Sequence, residues 1–213
     1  MKSIKKTLRG VGALALSALL FPQLGSAAVQ NNLPEDKDIM IHIQDKAMEV
    51  TSSAIVDGKF ADKFGKRGTQ FSPNGMPSYS IPFEIKNAPE NTKSFAVVFE
   101  DKDAAEVAGF VWTHWLIADL ERTSVKENES ISAKDFVQGA NSWASKINNL
   151  SIKEASGYGG MAPPNKPHRY ELYVYALDTK LNLKPGFRYN DLHFAMQGHI
   201  LDQAYLVGTY DSK

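Results

Sequence analysis

The feature that most constrains the fold is a series of short segments rich in β-branched and aromatic residues, separated by residues that favour turns. Such segments fit the pleated, half-buried surface of a sheet. Five are predicted to be strands: 80–86, 95–100, 111–119, 170–178 and 205–210. Their number and spacing predict an antiparallel sandwich or barrel, so the chain is expected to be mainly β.

A segment near the C-terminus departs from this pattern and predicts a helix. Asn190 is a suitable N-cap, and Asp191 suits the first turn of a helix. Apolar residues such as Met196 recur at roughly helical spacing as far as Leu201, so this face is expected to pack against the sheet. The pattern assigns no secondary structure to residues 123–155.

The N-terminus has the organisation of a secretory signal peptide. Basic residues precede an apolar run from Val11 to Phe21, and small residues follow up to Ala28. We therefore expect a signal peptide over 1–28 and export of the remaining chain, to the periplasm or beyond the cell. The apolar run is too short for a stable transmembrane helix, and no later segment approaches the necessary length, so no membrane span is expected.

Beyond the signal peptide, we expect a flexible, polar lead-in over 29–45 and one domain over 46–213. The chain has no cysteine, which excludes disulfides, thiolate metal sites and a cysteine nucleophile. Basic and acidic residues number 24 each and are intermixed. Because this gives no broad positive surface, nucleic acid is not an expected partner.

The first group of candidate functional residues lies in a predicted hairpin. Asp101 ends one apolar strand and His114 lies just inside the next, so the two side chains could meet. Strict alternation would place His114 on the face of Trp112 and Leu116, with Trp115 on the opposite face. A histidine on an apolar face needs a polar partner, and a satisfied core histidine is the simplest interpretation of this segment alone.

The second group lies in a loop over 157–167, rich in glycine and proline, that leads directly into a strand. The glycines permit close approach of a ligand and the prolines restrict the loop, as in a preorganised pocket wall. His168 and Tyr170 are two residues apart on an extended chain and therefore share one face. Arg169 faces the other way, where it could pair with a carboxylate.

Together, the segment Asp101-Lys-Asp-Ala, the strand with His114 and the loop that ends in His168-Arg-Tyr170 resemble the phosphatidylethanolamine-binding protein family. The similarity is to secreted bacterial members; the family also includes the Raf kinase inhibitor proteins. It extends over about residues 46–210. The resemblance implies a large central antiparallel sheet packed on a smaller sheet, with a C-terminal helix. It also implies a small anion-binding pocket lined by Asp101, His114, Ala162, Pro163, His168 and Tyr170.

These observations predict a secreted binding module for a phosphate-like or carboxylate group, such as a phospholipid headgroup, that modulates a partner protein as relatives do. An alternative is a hydrolase in which Asp101 and His114 activate water. The usual motifs of acyl-transfer enzymes, zinc proteases and nucleotidases are absent, so no cofactor is predicted. Two further alternatives are a metal site at Asp101, His114 and His168, and a protein whose pocket has no ligand.

Overall fold

The computed structural model describes residues 46–213. The predicted signal peptide over 1–28 and lead-in over 29–45 lie outside these residues. Within 46–213, no helix is long and apolar enough to cross a membrane.

The strands of the described region form a sheet of seven and a sheet of three. In chain order the strands are β1 (Glu49–Thr51), β2 (Ile55–Val56), β3 (Lys59–Phe60), β4 (Phe83–Lys86), β5 (Ser94–Asp101), β6 (Trp112–Leu120), β7 (Ser124–Val125), β8 (Val137–Gln138), β9 (His168–Leu177) and β10 (Ile200–Tyr210). The large sheet has the order β2-β3-β10-β9-β5-β6-β8, and the small sheet has the order β1-β4-β7. In the large sheet, neighbouring strands are antiparallel except β3 and β10, which are parallel. The predicted mainly β fold with a large central sheet and a smaller one is confirmed.

The helical elements are short. The α-helices are α1 (Ala105–Ala108) and α2 (Tyr189–Met196), and the 3-10 turns are Asp62–Phe64, Glu129–Ile131 and Ser142–Ala144. The region 123–155, to which the sequence assigned no structure, contains only β7, β8 and two of these turns.

All five predicted strands are present, but the predicted helix is too long. It begins with Arg188 as N-cap, whose backbone N–H donates to the Asp191 carboxylate at 2.8 Å, and it ends at Met196. Gly198 then adopts a φ of 79°, and Ile200 already pairs with Leu177 in the sheet. The sheet's backbone hydrogen bonds therefore prevail over the helical spacing of the apolar residues.

The strand β5 lies between β9 and β6, and both of its faces are buried. On one face, Phe95, Val97 and Phe99 belong to the hydrophobic core that also contains residues of the small sheet. On the other face, Ala96 and Val98 pack in a second core with Leu192 and Met196 of α2. The large sheet is thus covered on both sides.

The core on the small-sheet side continues to the candidate site through Phe99. This fully buried ring contacts Phe60, His114, Tyr158 and Tyr170 at centroid distances of 5.6 to 6.1 Å. The packing of the core therefore also fixes the positions of site residues.

We predict that Phe99→Ala lowers the free energy of unfolding by about 3–5 kcal/mol, because it leaves a cavity where a buried ring was. The matched control is Phe194→Ala, since Phe194 is 64% exposed on α2 and should change stability by less than about 0.5 kcal/mol. Urea unfolding of both variants measures the difference. Equal, small effects would show that Phe99 does not support the core as described.

Candidate functional site

The hairpin end of the large sheet and the loop before β9 surround a cavity of about 290 Å³. The cavity is lined by all six residues predicted from the sequence: Asp101, His114, Ala162, Pro163, His168 and Tyr170. Sheet register explains part of this arrangement, because Asp101 at the end of β5 pairs with Trp112 on one side and with Tyr170 on the other. Residues distant in the sequence thus meet at one edge.

His114 enters the cavity because β6 contains a β-bulge. The register places Trp115 opposite Phe99 but Thr113 opposite Glu100, so His114 has no partner of its own in β5. Its ring contacts Phe99 and Tyr170, which belong to the same core as Trp115. The prediction that Trp115 and His114 point to opposite faces is therefore wrong, since an extra residue in a strand interrupts the alternation.

The hydrogen bonds of His114 define its protonation. Nδ1 lies 2.5 Å from the carbonyl oxygen of Gly159, which only accepts, so Nδ1 carries the proton. Burial lowers the pKa of His114 below its usual value, against the opposing effect of the nearby Asp101. The ring is thus neutral at pH 7, and Nε2 presents a lone pair. Nε2 is buried and has no hydrogen-bond partner.

Asp101 and His168 form a buried ion pair. The Oδ2 atom of Asp101 accepts from Nδ1 of His168 at 2.7 Å, and Oδ1 accepts from the backbone N–H of Ala104 at 3.0 Å. Nε2 of His168 lies 2.8 Å from Oδ1 of Asn165. Both ring nitrogens of His168 thus have a hydrogen-bond partner in the buried site.

Tyr170 is the second site residue whose polar atom has no partner. Its side chain is fully buried, and the hydroxyl group has no partner at hydrogen-bond geometry, although the Asp101 carboxylate lies close enough to interact with it. Burial, with a smaller effect of Asp101, raises the pKa of Tyr170 far above its usual value, so the hydroxyl keeps its proton. His168 and Tyr170 share a face as predicted, with ring centroids 6.4 Å apart.

The loop wall is held from outside by a residue that sequence reasoning did not identify. The side-chain ammonium of Lys66 donates to the carbonyl oxygen of Pro163 at 2.6 Å, and its backbone N–H donates to that of Met161 at 2.8 Å. Burial, together with the adjacent Arg67, lowers the pKa of Lys66. No motif connects Lys66 with a loop nearly a hundred residues later, so only the fold reveals the contact.

Hydrogen bonds and ion pairs also join the loop that carries α1 to the start of β9 and the loop before it. The Asp103 carboxylate accepts from the backbone N–H of Arg169 at 2.9 Å and lies 3.6 Å from its guanidinium Nε. Arg169 thus points away from the cavity and pairs with a carboxylate, as predicted. At the exposed rim, Lys166 pairs with Glu106 of α1. These contacts therefore connect the two loops that surround the cavity.

In the hydrolase alternative, Asp101 and His114 would activate water together, but the structure shows no hydrogen bond between them. The Asp101 carboxylate accepts from His168 and from the backbone of Ala104. His114 is oriented instead by Gly159. Within 46–213, no group of three or more His, Asp and Glu side chains is arranged to hold a metal ion.

Two tryptophans that line the cavity, Trp112 and Trp143, were not predicted as site residues. Trp112 follows from the register of β5 and β6. Trp143 lies in the 3-10 turn Ser142–Ala144, within the region to which the sequence assigned no structure. A single tryptophan in a polar, non-periodic segment gives no signal of its position.

Comparison with known proteins agrees with this architecture. The family model described as phosphatidylethanolamine-binding protein matches residues 51–211. A Bacillus subtilis protein, the uncharacterized YxkA, is 39% identical over 145 residues, which are 66% of this chain and 86% of that protein. A UPF0098 protein of Methanothermobacter thermautotrophicus is 33% identical over 169 residues, 76% of this chain and 98% of the relative.

Among solved structures, a phosphatidylethanolamine-binding protein homologue of Chlamydia trachomatis, CT736, has a TM-score of 0.63 at 30% identity. The similarity covers 78% of this chain and 99% of that one. The E. coli protein YbcL has the same TM-score at 24% identity, which supports the fold alone. The family match spans both sheets and the cavity between the two loops. The chain therefore belongs to the phosphatidylethanolamine-binding protein family.

Proposed function

We propose that this protein binds a small anionic group, phosphate-like or carboxylate, in the cavity beside Tyr170 and His114. The observation that carries the proposal is that two residues that line the cavity, Tyr170 and His114, each have a buried polar atom without a partner, Oη and Nε2. Leaving buried polar atoms unpaired is unfavourable, and proteins keep few of them. A ligand with several oxygen atoms would supply both with partners.

The charges of the site support an anion that binds together with a proton. The Asp101 carboxylate is engaged by His168, and burial lowers the pKa of His114, so that His114 is neutral in the free protein. An anion near Nε2 of His114 would meet a lone pair, which repels it. Protonation of His114 converts Nε2 into a charge-assisted donor, so anion binding and proton uptake are coupled.

Titration calorimetry with phosphate, phosphoethanolamine and acetate tests the proposal directly. At least one of them should give saturable heat with the wild-type protein, and His114→Ala should weaken the binding. Absence of heat from all three would contradict it.

Replacement of Tyr170 by phenylalanine should separate binding from stability. Because the Tyr170 hydroxyl has no partner, its removal should leave the free energy of unfolding unchanged or raise it, while phosphate binds about 3–10-fold more weakly. In the matched variant Tyr158→Phe, the lost hydroxyl donates to the carbonyl oxygen of Phe64 at 2.7 Å. That variant should lose about 1 kcal/mol of stability.

Urea unfolding and phosphate calorimetry on both tyrosine variants give the two readouts. A Tyr170→Phe protein that is markedly destabilised, or that binds phosphate like the wild type, would contradict the assignment.

The coupled protonation predicts a pH dependence with a definite sign. Burial lowers the pKa of His114 in the free protein, and a bound anion raises it again. Affinity should therefore increase as the pH falls between the bound and free pKa values, by up to about tenfold per pH unit for one proton. Below the pKa of His114 in the free protein, the affinity should become independent of pH. Sulfate is the appropriate probe, because it does not itself titrate in this range.

Calorimetry in buffers of different ionisation enthalpy then counts the protons taken up for each sulfate bound. His114→Gln supplies a donor that needs no proton and should abolish the pH dependence. The control His199→Gln changes an exposed histidine paired with Asp178 and should retain it. Identical pH profiles for wild type and His114→Gln would refute proton coupling at His114.

We propose further that the protein acts outside the cytoplasm. The N-terminal sequence supports export, since its basic residues, apolar run and small residues have the order of a signal peptide. Protein recovered from the cell exterior or periplasm should begin at Val29, or at Ala28 if cleavage follows Ala27. A full-length chain that remains in the cytoplasm would contradict export.

A further inference from the structure

Among the described residues, five buried side-chain nitrogen or oxygen atoms have no hydrogen-bond partner. Three of the five belong to residues that line the same cavity: Nε2 of His114, Oη of Tyr170 and Nε1 of Trp143. The proposed anion accounts for the first two. The indole N–H of Trp143 is the third unpaired group, outside the set of residues that the family resemblance identified.

Trp143 is held in place by a buried asparagine and by β6. The side-chain oxygen of Asn141 accepts from the backbone N–H of Trp143 at 2.9 Å, and its amide nitrogen donates to the carbonyl oxygen of Gly157 at 3.0 Å. The hydroxyl of the adjacent Ser142 accepts from the backbone N–H of Thr113 at 2.9 Å. The turn is therefore docked one residue from His114.

The edge of the Trp143 indole that carries Nε1 lies close to Gly159, the residue whose carbonyl oxygen orients His114. A β-carbon on Gly159 would lie 2.8 Å from Cδ1 of Trp143, the ring atom bonded to Nε1. The carbonyl oxygen of the same glycine accepts from His114. Only a residue without a side chain allows this approach, so the Trp143 donor and the His114 ring share one section of the wall.

Apart from Asn148, the other side chains that line the cavity are apolar, and the cavity is larger than an inorganic anion requires. Trp112 and Trp143 meet edge to face with centroids 6.3 Å apart, and the cavity is also lined by Val107, Ala108 and Ile147. We call Trp112 and Trp143 the aromatic wall. A cavity of about 290 Å³ has room for about ten waters at roughly 30 Å³ each, whereas phosphate has only five heavy atoms.

We propose that Trp143 is a specificity-determining residue and that the ligand is an organic anion, not an inorganic one. The anionic group lies at Tyr170 and His114, and a compact apolar or aromatic substituent lies against the aromatic wall. The indole N–H donates to an oxygen on the substituent side of the anion, such as an ester oxygen. This inference rests on the anion-binding function proposed above.

The experiment compares inorganic phosphate with phenyl phosphate by calorimetry in wild type, Trp143→Ala and Trp143→Phe. Wild type should bind phenyl phosphate at least about tenfold more tightly than phosphate, because the ring is buried against the aromatic wall. In Trp143→Ala this preference should fall below about threefold. Trp143→Phe keeps a ring but loses the donor, so phenyl phosphate should weaken about 3–10-fold and phosphate by less than about twofold.

Phe194→Ala removes an exposed aromatic ring on α2 that does not line the cavity and should change neither affinity. Thermal unfolding of each variant confirms that it is folded before its affinity is compared. A preference that survives in Trp143→Ala, or phenyl phosphate binding unchanged in Trp143→Phe, overturns the role of Trp143. Phosphate binding without any preference in wild type overturns this inference alone. Binding of neither compound also overturns this inference, and it overturns the proposed function if phosphoethanolamine and acetate give no heat either.

Discussion

The site depends above all on the buried carboxylate of Asp101. Because it ends the central strand, the sheet places it between Trp112 on β6 and Tyr170 on β9. One oxygen accepts from the backbone of Ala104 at the start of α1, and the other accepts from His168. A buried carboxylate is costly unless its oxygens are paired, and these partners belong to the two loops that frame the cavity. Because the buried carboxylate needs these hydrogen bonds, it holds both loops in position.

The partners of Asp101 also determine which atoms remain available to a ligand. Asp101 and His168 satisfy each other and Asn165, so their polar atoms are already engaged. The rings of His114 and Tyr170 contact each other in the same site. Each of these two residues has one buried polar atom without a hydrogen-bond partner. The site therefore divides into a self-contained ion pair, which gives structure, and a pair of rings with free hydrogen-bonding capacity.

Sequence reasoning succeeded where the backbone is regular and local. His168 and Tyr170 share a face because β9 alternates without interruption, which the spacing predicts directly. The side of Trp115 was wrong because the bulge at His114 depends on pairing with β5, which no local pattern encodes. The helix end was wrong for a similar reason, since pairing with β9 claims Ile200. Trp143 lacked any local signal, because its position comes from contacts of Asn141 and Ser142 with distant segments.

The complete burial of β5 has a consequence for the chain before it folds. The strand Ser94–Asp101 contains the continuous apolar run Phe95–Phe99, rich in valine and phenylalanine, a composition prone to intermolecular aggregation when it is exposed. Charged residues flank it: Lys93 precedes the strand, and Glu100, Asp101 and Lys102 follow the apolar part. Such charges act as gatekeepers that oppose stacking of identical strands. The carboxylate that organises the pocket in the native protein thus also protects the nascent chain from self-association.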